Sequence, residues 1–240
     1  MLISVYSYRF KHIGSDRSCQ KLAPETYIEN EARVFDEHEL TMEHYKDRQA
    51  FIPSIIHQTW DTYDIPKPAV AYVRSIVERH PEWEYWFWTA DDIRCYMKTF
   101  HSKYLPLFDS YDETIYRTDV VRYFMLHDFG GFYIDLDVQA LRPLDVFRYI
   151  APCVLSHETY EHTYFAHNRK QPNVMTTILA SRPQHPYFKL LQEQLQHYHN
   201  MCPHNVLYST GPFFIDNIYQ MFVQTHERNV SDNITIVHPR

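Results

Sequence analysis

Two adjacent glycines, Gly130 and Gly131, constrain this chain most strongly, because it has only four glycines in 240 residues. The segment before them, DETIYRTDVVRYFMLHDF, contains no glycine or proline and has acids at its start. Such a segment is typical of a helix. Glycine ends a helix at little cost because it readily adopts the left-handed backbone conformation. The pair therefore predicts a tight turn that leads from a helix into a strand.

The segment after the turn, FYIDLDV, alternates apolar and polar residues, which predicts a strand with two different faces. One face is apolar and consists of Phe132, Ile134, Leu136 and Val138. The other face is polar and consists of Tyr133, Asp135 and Asp137. Two carboxylates side by side repel each other and raise each other's pKa. A divalent cation relieves the repulsion, and oxygen ligands suit Mn²⁺ or Mg²⁺. We therefore predict that Asp135 and Asp137 bind a metal that keeps open positions for a diphosphate.

Asp119 and Arg122 lie three residues apart on the predicted helix and are therefore neighbours on one face. The Arg122 guanidinium is suited to a two-pronged contact with a carboxylate or a phosphate. Asp119 is suited to accept hydrogen bonds from sugar hydroxyls. An ordinary surface ion pair explains the same spacing equally well.

From residue 51 the chain alternates strand-like and helix-like segments. FIPSIIHQTW and EWEYWFW predict strands, and IPKPAVAYVRSIVERHP and TADDIRCYMKTF predict helices, with Thr89 capping the second helix. This order predicts an α/β fold with a mainly parallel sheet covered by helices. Residues 1–50 lack sustained periodicity and are predicted to be an N-terminal appendage to a single catalytic domain over residues 51–240.

The composition of the chain limits the classes of ligand and partner that it is expected to bind. The net charge is −7 and no basic stripe is present, which argues against nucleic acid. None of the four cysteines forms a C-x-x-C pair, so zinc is not indicated. No apolar run reaches 18 residues, so no membrane-spanning helix is predicted. Two glycosylation sequons, at Asn229 and Asn233, are compatible with a secretory-pathway lumen.

The composite pattern [ST]-D-x-x-R-Y…G-G-x-Y-x-D-x-D, together with IPSIIHQTW, HPEWEYWFWTADD, NVMTTILASRPQHPYF and STGPFF, resembles glycosyltransferase family 32 from about residue 52 to residue 216. That family includes inositol phosphoceramide mannosyltransferases and lactosylceramide 4-alpha-galactosyltransferases. The resemblance implies a GT-A fold, a nucleotide-sugar donor and transfer that retains the anomeric configuration. It also implies a cation, Mn²⁺ before Mg²⁺, on Asp135 and Asp137.

The resemblance implies roles for further residues. Donor-sugar contacts are expected from Asp119, Arg122 and Asn173. Nucleotide contacts are expected from His57, Gln58, Trp60 and Tyr133. Turns and the acceptor side are assigned to Gly130, Gly131, Gly211 and Pro212. Several of these residues have a plain structural alternative: a core histidine for His57, packing for Trp60, a helix-start cap for Asn173, and backbone geometry for Gly211 and Pro212.

The donor and acceptor stay open between several choices. GDP-mannose is favoured over a UDP-hexose, and a glycolipid such as inositol phosphoceramide is favoured over a protein-linked glycan. The resemblance also implies the Golgi, with membrane association through segments outside this chain. Relatives carry a further C-terminal segment with a histidine and a Ser-Trp pair, so we expect a chain ending at Arg240 to be truncated. No side chain stands out as a covalent nucleophile, which favours direct front-face transfer.

Two other classes of function are considered. A glycoside hydrolase also uses an acid pair, but its two carboxyl groups flank the bond from opposite sides. Asp135 and Asp137 are predicted to point the same way from one strand, which argues against hydrolysis. A non-catalytic sugar-binding module that kept the fold is the remaining alternative.

Overall fold

The computed structural model describes residues 32–36, 38–167, 172–226 and 229–238. Its centre is one six-stranded sheet in the order β2-β1-β3-β5-β4-β6. The strands are β1 Ile55–Thr59, β2 Glu84–Trp88, β3 Gly131–Ile134, β4 Cys153–His157, β5 Val174–Ser181 and β6 Ile234–Val237. Strand β5 runs antiparallel to both of its neighbours, and the remaining pairs are parallel. The predicted α/β class and mainly parallel sheet are confirmed.

The helices connect these strands and cover the sheet. They are α1 Lys67–Arg79, α2 Ala90–Phe100, α3 Leu105–Ser110, α4 Thr114–Asp128, α5 Phe147–Ile150, α6 Tyr160–His167, α7 Pro186–Met201, α8 Val206–Ser209 and α9 Pro212–Thr225. Short 3₁₀ turns occupy Met42–Tyr45, Ser102–Tyr104 and Val230–Asp232. No helix in the described ranges is long and apolar enough to cross a membrane.

The predicted cap of helix α2 is present in full. The Thr89 hydroxyl accepts from the Asp92 backbone N–H at 3.2 Å, and the Asp92 carboxylate accepts from the Thr89 backbone N–H at 3.0 Å. This reciprocal pair satisfies two backbone donors that a helix start otherwise leaves without partners. Strand β2 therefore ends and α2 begins where the sequence predicts.

The core has two parts, which contain different residues of strand β3. Phe132 and Ile134 pack in one cluster with Ile56 of β1 and Ile76 of α1. Tyr133 packs in the other, larger cluster, where helices α4, α7 and α9 meet. Alternation along β3 thus divides its side chains between the two clusters. Helix α4 is buried along most of its length, and its buried residues include the charged Asp119 and Arg122.

The glycine pair allows helix α4 to turn directly into strand β3. Both glycines have positive φ, 66° at Gly130 and 88° at Gly131. A Cβ on Gly130 would lie 2.7 Å from the Ser181 carbonyl oxygen, and one on Gly131 would lie 2.6 Å from the Ile55 carbonyl oxygen. Only glycine accommodates both the backbone conformation and this close approach. The predicted turn is confirmed, and it fixes β3 between β1 and β5.

The described residues before position 51 pack against the sheet and its helices. Arg33 forms an isolated parallel bridge with Val237, beside the edge strand β6. Phe35 and Tyr45 are buried and make ring contacts with Phe147 and Tyr149. The boundary of the catalytic domain at residue 51 stays a prediction.

Candidate active site

The two acids of the D-x-D segment lie just beyond the end of strand β3. The strand stops at Ile134, so the prediction that it runs to Val138 is wrong. The Asp135 backbone N–H still donates to Thr177 at 3.0 Å, but its carbonyl accepts from the Val138 N–H at 3.2 Å and closes a turn. Asp135 and Asp137 are therefore presented by a turn and not by one face of a strand. Both are half-buried.

Gln58 holds this turn from the neighbouring strand β1. Its side-chain amide N–H group lies 3.2 Å from both the Ile134 and the Asp135 carbonyl oxygens. Its amide oxygen accepts from the Tyr85 hydroxyl at 2.9 Å. Gln58 is completely buried, so the structure gives it the task of fixing the backbone beneath the acids, a role that the sequence does not reveal.

Arg122 joins the helix to the turn. Its guanidinium lies 3.0 Å from the Asp119 carboxylate and 3.5 Å from the Asp135 carboxylate. It also donates to the Thr176 carbonyl at 2.7 Å and to the Thr118 carbonyl at 3.2 Å. Asp119 and Arg122 are 4% and 3% exposed, so the surface ion-pair alternative is wrong. The buried Arg122 guanidinium therefore links Asp119, the predicted donor-sugar residue, to Asp135, a predicted metal ligand.

Asp119, Asp135 and Asp137 all interact electrostatically with Arg122. When ionised, these three acids carry three negative charges against the single positive charge of the guanidinium. Burial raises the pKa of Asp119 above its usual range, although Arg122 and a hydrogen bond from Thr210 oppose the shift. Burial also raises the pKa of Asp135, with Arg122 opposing the shift and Asp137 adding to it. A carboxylate whose charged form is disfavoured gains from any further cation nearby. The site is thus built to attract a positive ion.

The protein itself does not complete a metal site in the described ranges. No three His, Cys, Asp or Glu side chains are grouped there so as to hold a metal. Asp135 and Asp137 supply hard oxygen ligands of the kind that Mn²⁺ and Mg²⁺ take. The two acids fit a cation whose other ligands come from a bound diphosphate or from water.

Tyr133 and Thr59 form a buried layer beneath the charged cluster. The Arg122 guanidinium lies 4.3 Å from the centre of the Tyr133 ring, a cation–π distance. The Tyr133 hydroxyl is hydrogen-bonded to the Thr59 hydroxyl at 2.9 Å. Tyr133 is 1% exposed, so it supports Arg122 from below.

Trp60, by contrast, is half-buried just after the end of β1, and its backbone N–H donates to the Trp88 backbone carbonyl at 3.1 Å.

His57 lies inside an aromatic cluster and not at the surface of a pocket. Its Nε2–H donates to the Gly130 carbonyl at 2.9 Å, and its Nδ1 accepts from the Trp88 indole N–H at 3.3 Å. The ring is completely buried and contacts Trp86 edge-on at 5.3 Å. The geometry favours the core-histidine alternative, in which His57 ties strand β1 to the glycine turn.

Protonation of His57 is expected to destabilise the fold. Burial lowers its pKa from 6.5 to about 4, so the unfolded chain binds this proton at a higher pH than the folded chain does. The stability it contributes is full above pH 6.5 and is lost as the pH falls towards 4. At pH 5 the loss is at most about 2 kcal/mol. Urea denaturation at pH 7.5 and pH 5.0 measures this loss of unfolding free energy. We expect a smaller loss between the two pH values in His57→Gln than in the unmodified protein, because glutamine keeps a side-chain N–H for the Gly130 carbonyl but does not titrate. An equal loss in both proteins contradicts this.

Asn173 lies just before strand β5, so the helix-cap alternative is wrong. The Asn173 side-chain N–H donates to the Glu158 carboxylate at 3.3 Å, and the Asn173 backbone carbonyl accepts from the Glu158 backbone N–H at 2.9 Å. Its Oδ1 is buried and has no hydrogen-bond partner in the described part of the chain. Asn173 therefore lies next to the start of β5, three residues before Thr176, whose carbonyl accepts from Arg122.

Thr210, which the sequence did not single out, connects the start of helix α9 to the acids. Its hydroxyl donates to the Asp119 carboxylate at 3.0 Å, and its carbonyl accepts from the Tyr123 hydroxyl. The next residue is Gly211, where a Cβ would lie only 2.9 Å from the Val206 carbonyl oxygen. Pro212 then begins helix α9. The geometry favours the backbone alternative for Gly211 and Pro212. The signal that could have identified Thr210 is its position before them.

Comparison with known proteins gives consistent results. A family profile described as a glycosyltransferase sugar-binding region containing a DXD motif matches residues 66–151. Inositol phosphoceramide mannosyltransferase 3 of Schizosaccharomyces pombe is 32% identical over 201 residues, covering 81% of this chain and 52% of that protein. A mannosyl phosphorylinositol ceramide synthase of Saccharomyces cerevisiae is 30% identical over 198 residues, covering 81% of this chain and 50% of that protein. This chain thus spans about half the length of the curated relatives it matches.

The fold is similar to that of a solved structure, the PaToxG glycosyltransferase. The TM-score is 0.57 at 12% sequence identity, over 72% of this chain and 70% of that chain. At this identity the likeness concerns the fold alone. It confirms the glycosyltransferase fold of GT-A type predicted from the sequence.

Proposed function

The chain belongs to the family of glycosyltransferases whose sugar-binding region contains a DXD motif, and from that membership we propose that it transfers a hexose, with mannose favoured, from a nucleotide-sugar to a glycolipid. The observation that carries the proposal is the buried Arg122, held between Asp119 and Asp135 next to the end of strand β3. The names of the relatives favour inositol phosphoceramide as the acceptor and mannose as the sugar.

Asp135 and Asp137 are proposed to hold the donor's diphosphate through Mn²⁺ or Mg²⁺. When bound, such an ion stabilises the negative charge that grows on the departing diphosphate. The protein's part is to keep the two carboxylates in place and charged. Gln58 fixes the backbone of the turn, and Arg122 keeps Asp135 oriented and partly neutralised.

Asp119 is proposed to bind hydroxyls of the donor sugar. One of its oxygens faces Arg122 and the other accepts from Thr210. Each carboxylate oxygen has two acceptor positions, so one position on each remains for a sugar hydroxyl. Arg122 and Thr210 hold the carboxylate so that little ordering remains to be done when the donor binds.

Hydrolysis of a simple glycoside is a weaker reading of the same residues. A glycosidase needs a protonated acid and a second carboxylate on opposite sides of the scissile bond. Here Asp119 and Asp135 both contact Arg122, so a buried guanidinium, and not a scissile bond, lies between the two carboxyl groups. A Golgi location, membrane association through further segments, and the choice of GDP-mannose over a UDP-hexose are parts of the same proposal.

A donor screen tests the proposal. The protein is incubated with Mn²⁺ and, in separate reactions, with GDP-mannose, UDP-galactose, UDP-glucose or UDP-N-acetylglucosamine, and nucleotide release is measured with and without inositol phosphoceramide. We expect GDP-mannose to be turned over fastest and the lipid to increase the rate. Turnover of an aryl glycoside without any turnover of nucleotide-sugars supports the hydrolase. Donor binding by calorimetry without turnover supports the non-catalytic module.

A further inference from the structure

A polar cavity of about 280 Å³ lies outside the cluster of acids around Arg122. It is formed by the loop that leads into helix α4, by the end of helix α7 and by the segment after α7. Its lining includes Ser110, Tyr111, Asp112, Glu113, Tyr116 and His199. The volume is near the lower end of the range for small-molecule pockets, about 300 to 1,000 Å³.

The cavity opens at the edge of the sheet that carries the candidate active site. Helix α4 leads through the glycine turn directly into β3, so its first turn lies at the edge where β3 ends. Helix α7 follows the antiparallel strand β5, so its last turn, which carries His199, returns to the same edge. Tyr116 lines the cavity and lies three residues before Asp119, on the same side of helix α4. The cavity therefore adjoins the proposed donor-sugar residue.

Two polar groups of the lining have no hydrogen-bond partner among the described residues. The Tyr111 hydroxyl is buried and has no hydrogen bond within the described ranges, although the residue is only 1% exposed. The same holds for Nδ1 of His199, whose Nε2 lies 3.4 Å from the Ser110 hydroxyl. Buried polar groups are normally hydrogen-bonded, and an exception indicates a missing partner. A ligand with hydroxyl groups would supply that partner.

The lining combines acceptors, donors and ring surfaces. Asp112 and Glu113 are exposed and offer only acceptors while ionised. Tyr111 and His199 offer groups that can donate. The rings of Tyr111 and Tyr116 stack at 5.5 Å, and His199 meets Tyr111 edge-on at 4.8 Å. The two carboxylates disfavour an anion, and a simple cation would leave the donors unused. A neutral ring with several hydroxyls, each able to donate and to accept, matches this set.

We propose that this cavity binds the polyhydroxylated ring of the acceptor, a cyclitol or a pyranose, next to the donor sugar on Asp119. The inference rests on the proposed function, since it places the acceptor of that same reaction. Asp112 and Glu113 accept from ring hydroxyls, and the Tyr111 hydroxyl completes its hydrogen bonding with the ligand.

Ligand-observed NMR tests binding without any need for turnover. The probes are myo-inositol and methyl α-mannopyranoside, which distinguish a cyclitol from a pyranose. Tyr111→Phe removes only the hydroxyl. Asp112→Asn removes the charge and replaces one acceptor oxygen with an NH₂ donor. Tyr149→Phe, on helix α5, serves as the matched control for Tyr111→Phe. We expect one probe to bind, and each cavity variant to weaken it roughly five- to thirtyfold. Circular dichroism and the melting temperature establish that each variant is folded.

Transfer kinetics provide the second measurement. In Tyr111→Phe the KM for the lipid acceptor should rise by a similar factor, with the KM for the nucleotide-sugar as the internal reference. If neither probe binds the unmodified protein, or if Tyr111→Phe and Tyr149→Phe behave alike in both measurements, the proposal is overturned. Binding of a probe that depends on Tyr111, in a protein that turns over no donor, supports the cavity and rejects the proposed function.

Discussion

Arg122→Lys is expected to lower nucleotide-sugar turnover by roughly ten- to a hundredfold, although it keeps the positive charge. The guanidinium reaches Asp119, Asp135 and the Thr176 carbonyl at once, at 3.0, 3.5 and 2.7 Å. A lysine ammonium is a single point of charge and cannot reproduce this planar fork. At least one charge-assisted hydrogen bond is lost, and each contributes about 1.5 to 3 kcal/mol.

The same change is expected to reduce stability as well as turnover. Asp119 is buried, and a buried carboxylate with a poorer partner is strongly disfavoured. A loss of about 3 kcal/mol in the free energy of unfolding corresponds to a melting temperature lower by about 6 to 12 °C. Differential scanning calorimetry and nucleotide-release assays on the same preparation measure the two effects.

Arg94→Lys provides the matched control for this substitution. Arg94 also contacts an aspartate with two groups, at 3.2 and 2.9 Å from Asp109, but its side chain is 55% exposed. Exposed pairs of this kind contribute about 1 kcal/mol or less. We expect normal turnover and nearly unchanged melting in Arg94→Lys. If the two variants behave alike, the idea that the Arg122 fork organises the site is wrong.

Much of the fold was predictable because local signals and tertiary structure agree. The Thr89 cap forms both of its hydrogen bonds, and the glycine pair adopts the positive φ that a helix-to-strand turn needs. In such cases the residue itself determines the backbone, whatever packs around it. The proximity of Arg122 to Asp119 was predictable for the same reason, since helix geometry alone sets an i,i+3 contact.

The environment of these residues was not predictable from spacing. Whether Asp119 and Arg122 are buried depends on helix α4 being enclosed by α7, α9 and the sheet, which are long-range contacts. The end of β3 at Ile134 depends on Gln58, which contacts the Ile134 and Asp135 carbonyls from another strand. His57 follows the same logic, because Trp88 and Gly130 determine that its ring packs in the core.

Asp137→Ala is expected to abolish most of the turnover while leaving the protein folded. Asp137 is half-buried, and among the described residues it has no ion pair as close as those that Asp119 and Asp135 form with Arg122. Burial raises the pKa of Asp135, and the charge of Asp137 adds to that shift. Removal of Asp137 therefore relieves a repulsion between the two acids and should change the melting temperature by no more than about 2 °C. Asp135→Ala would instead disturb Arg122. Asp137 is therefore the position at which binding of a cation separates from support of the fold.

The expected loss of turnover in Asp137→Ala is roughly a hundred- to a thousandfold, the range seen when a group that stabilises departing charge is removed. Binding of Mn²⁺, followed by electron paramagnetic resonance, should weaken in parallel, and the unmodified protein in excess EDTA should lose activity to a similar extent. Asp47→Ala removes an exposed acid elsewhere in the chain and should leave both readouts unchanged. Because the two carboxylates are the chain's own ligands for the proposed ion, full activity of Asp137→Ala or of the protein in EDTA would show that the D-x-D acids do not act through a metal. In that case Asp135 would be left with a role in orienting Arg122 alone.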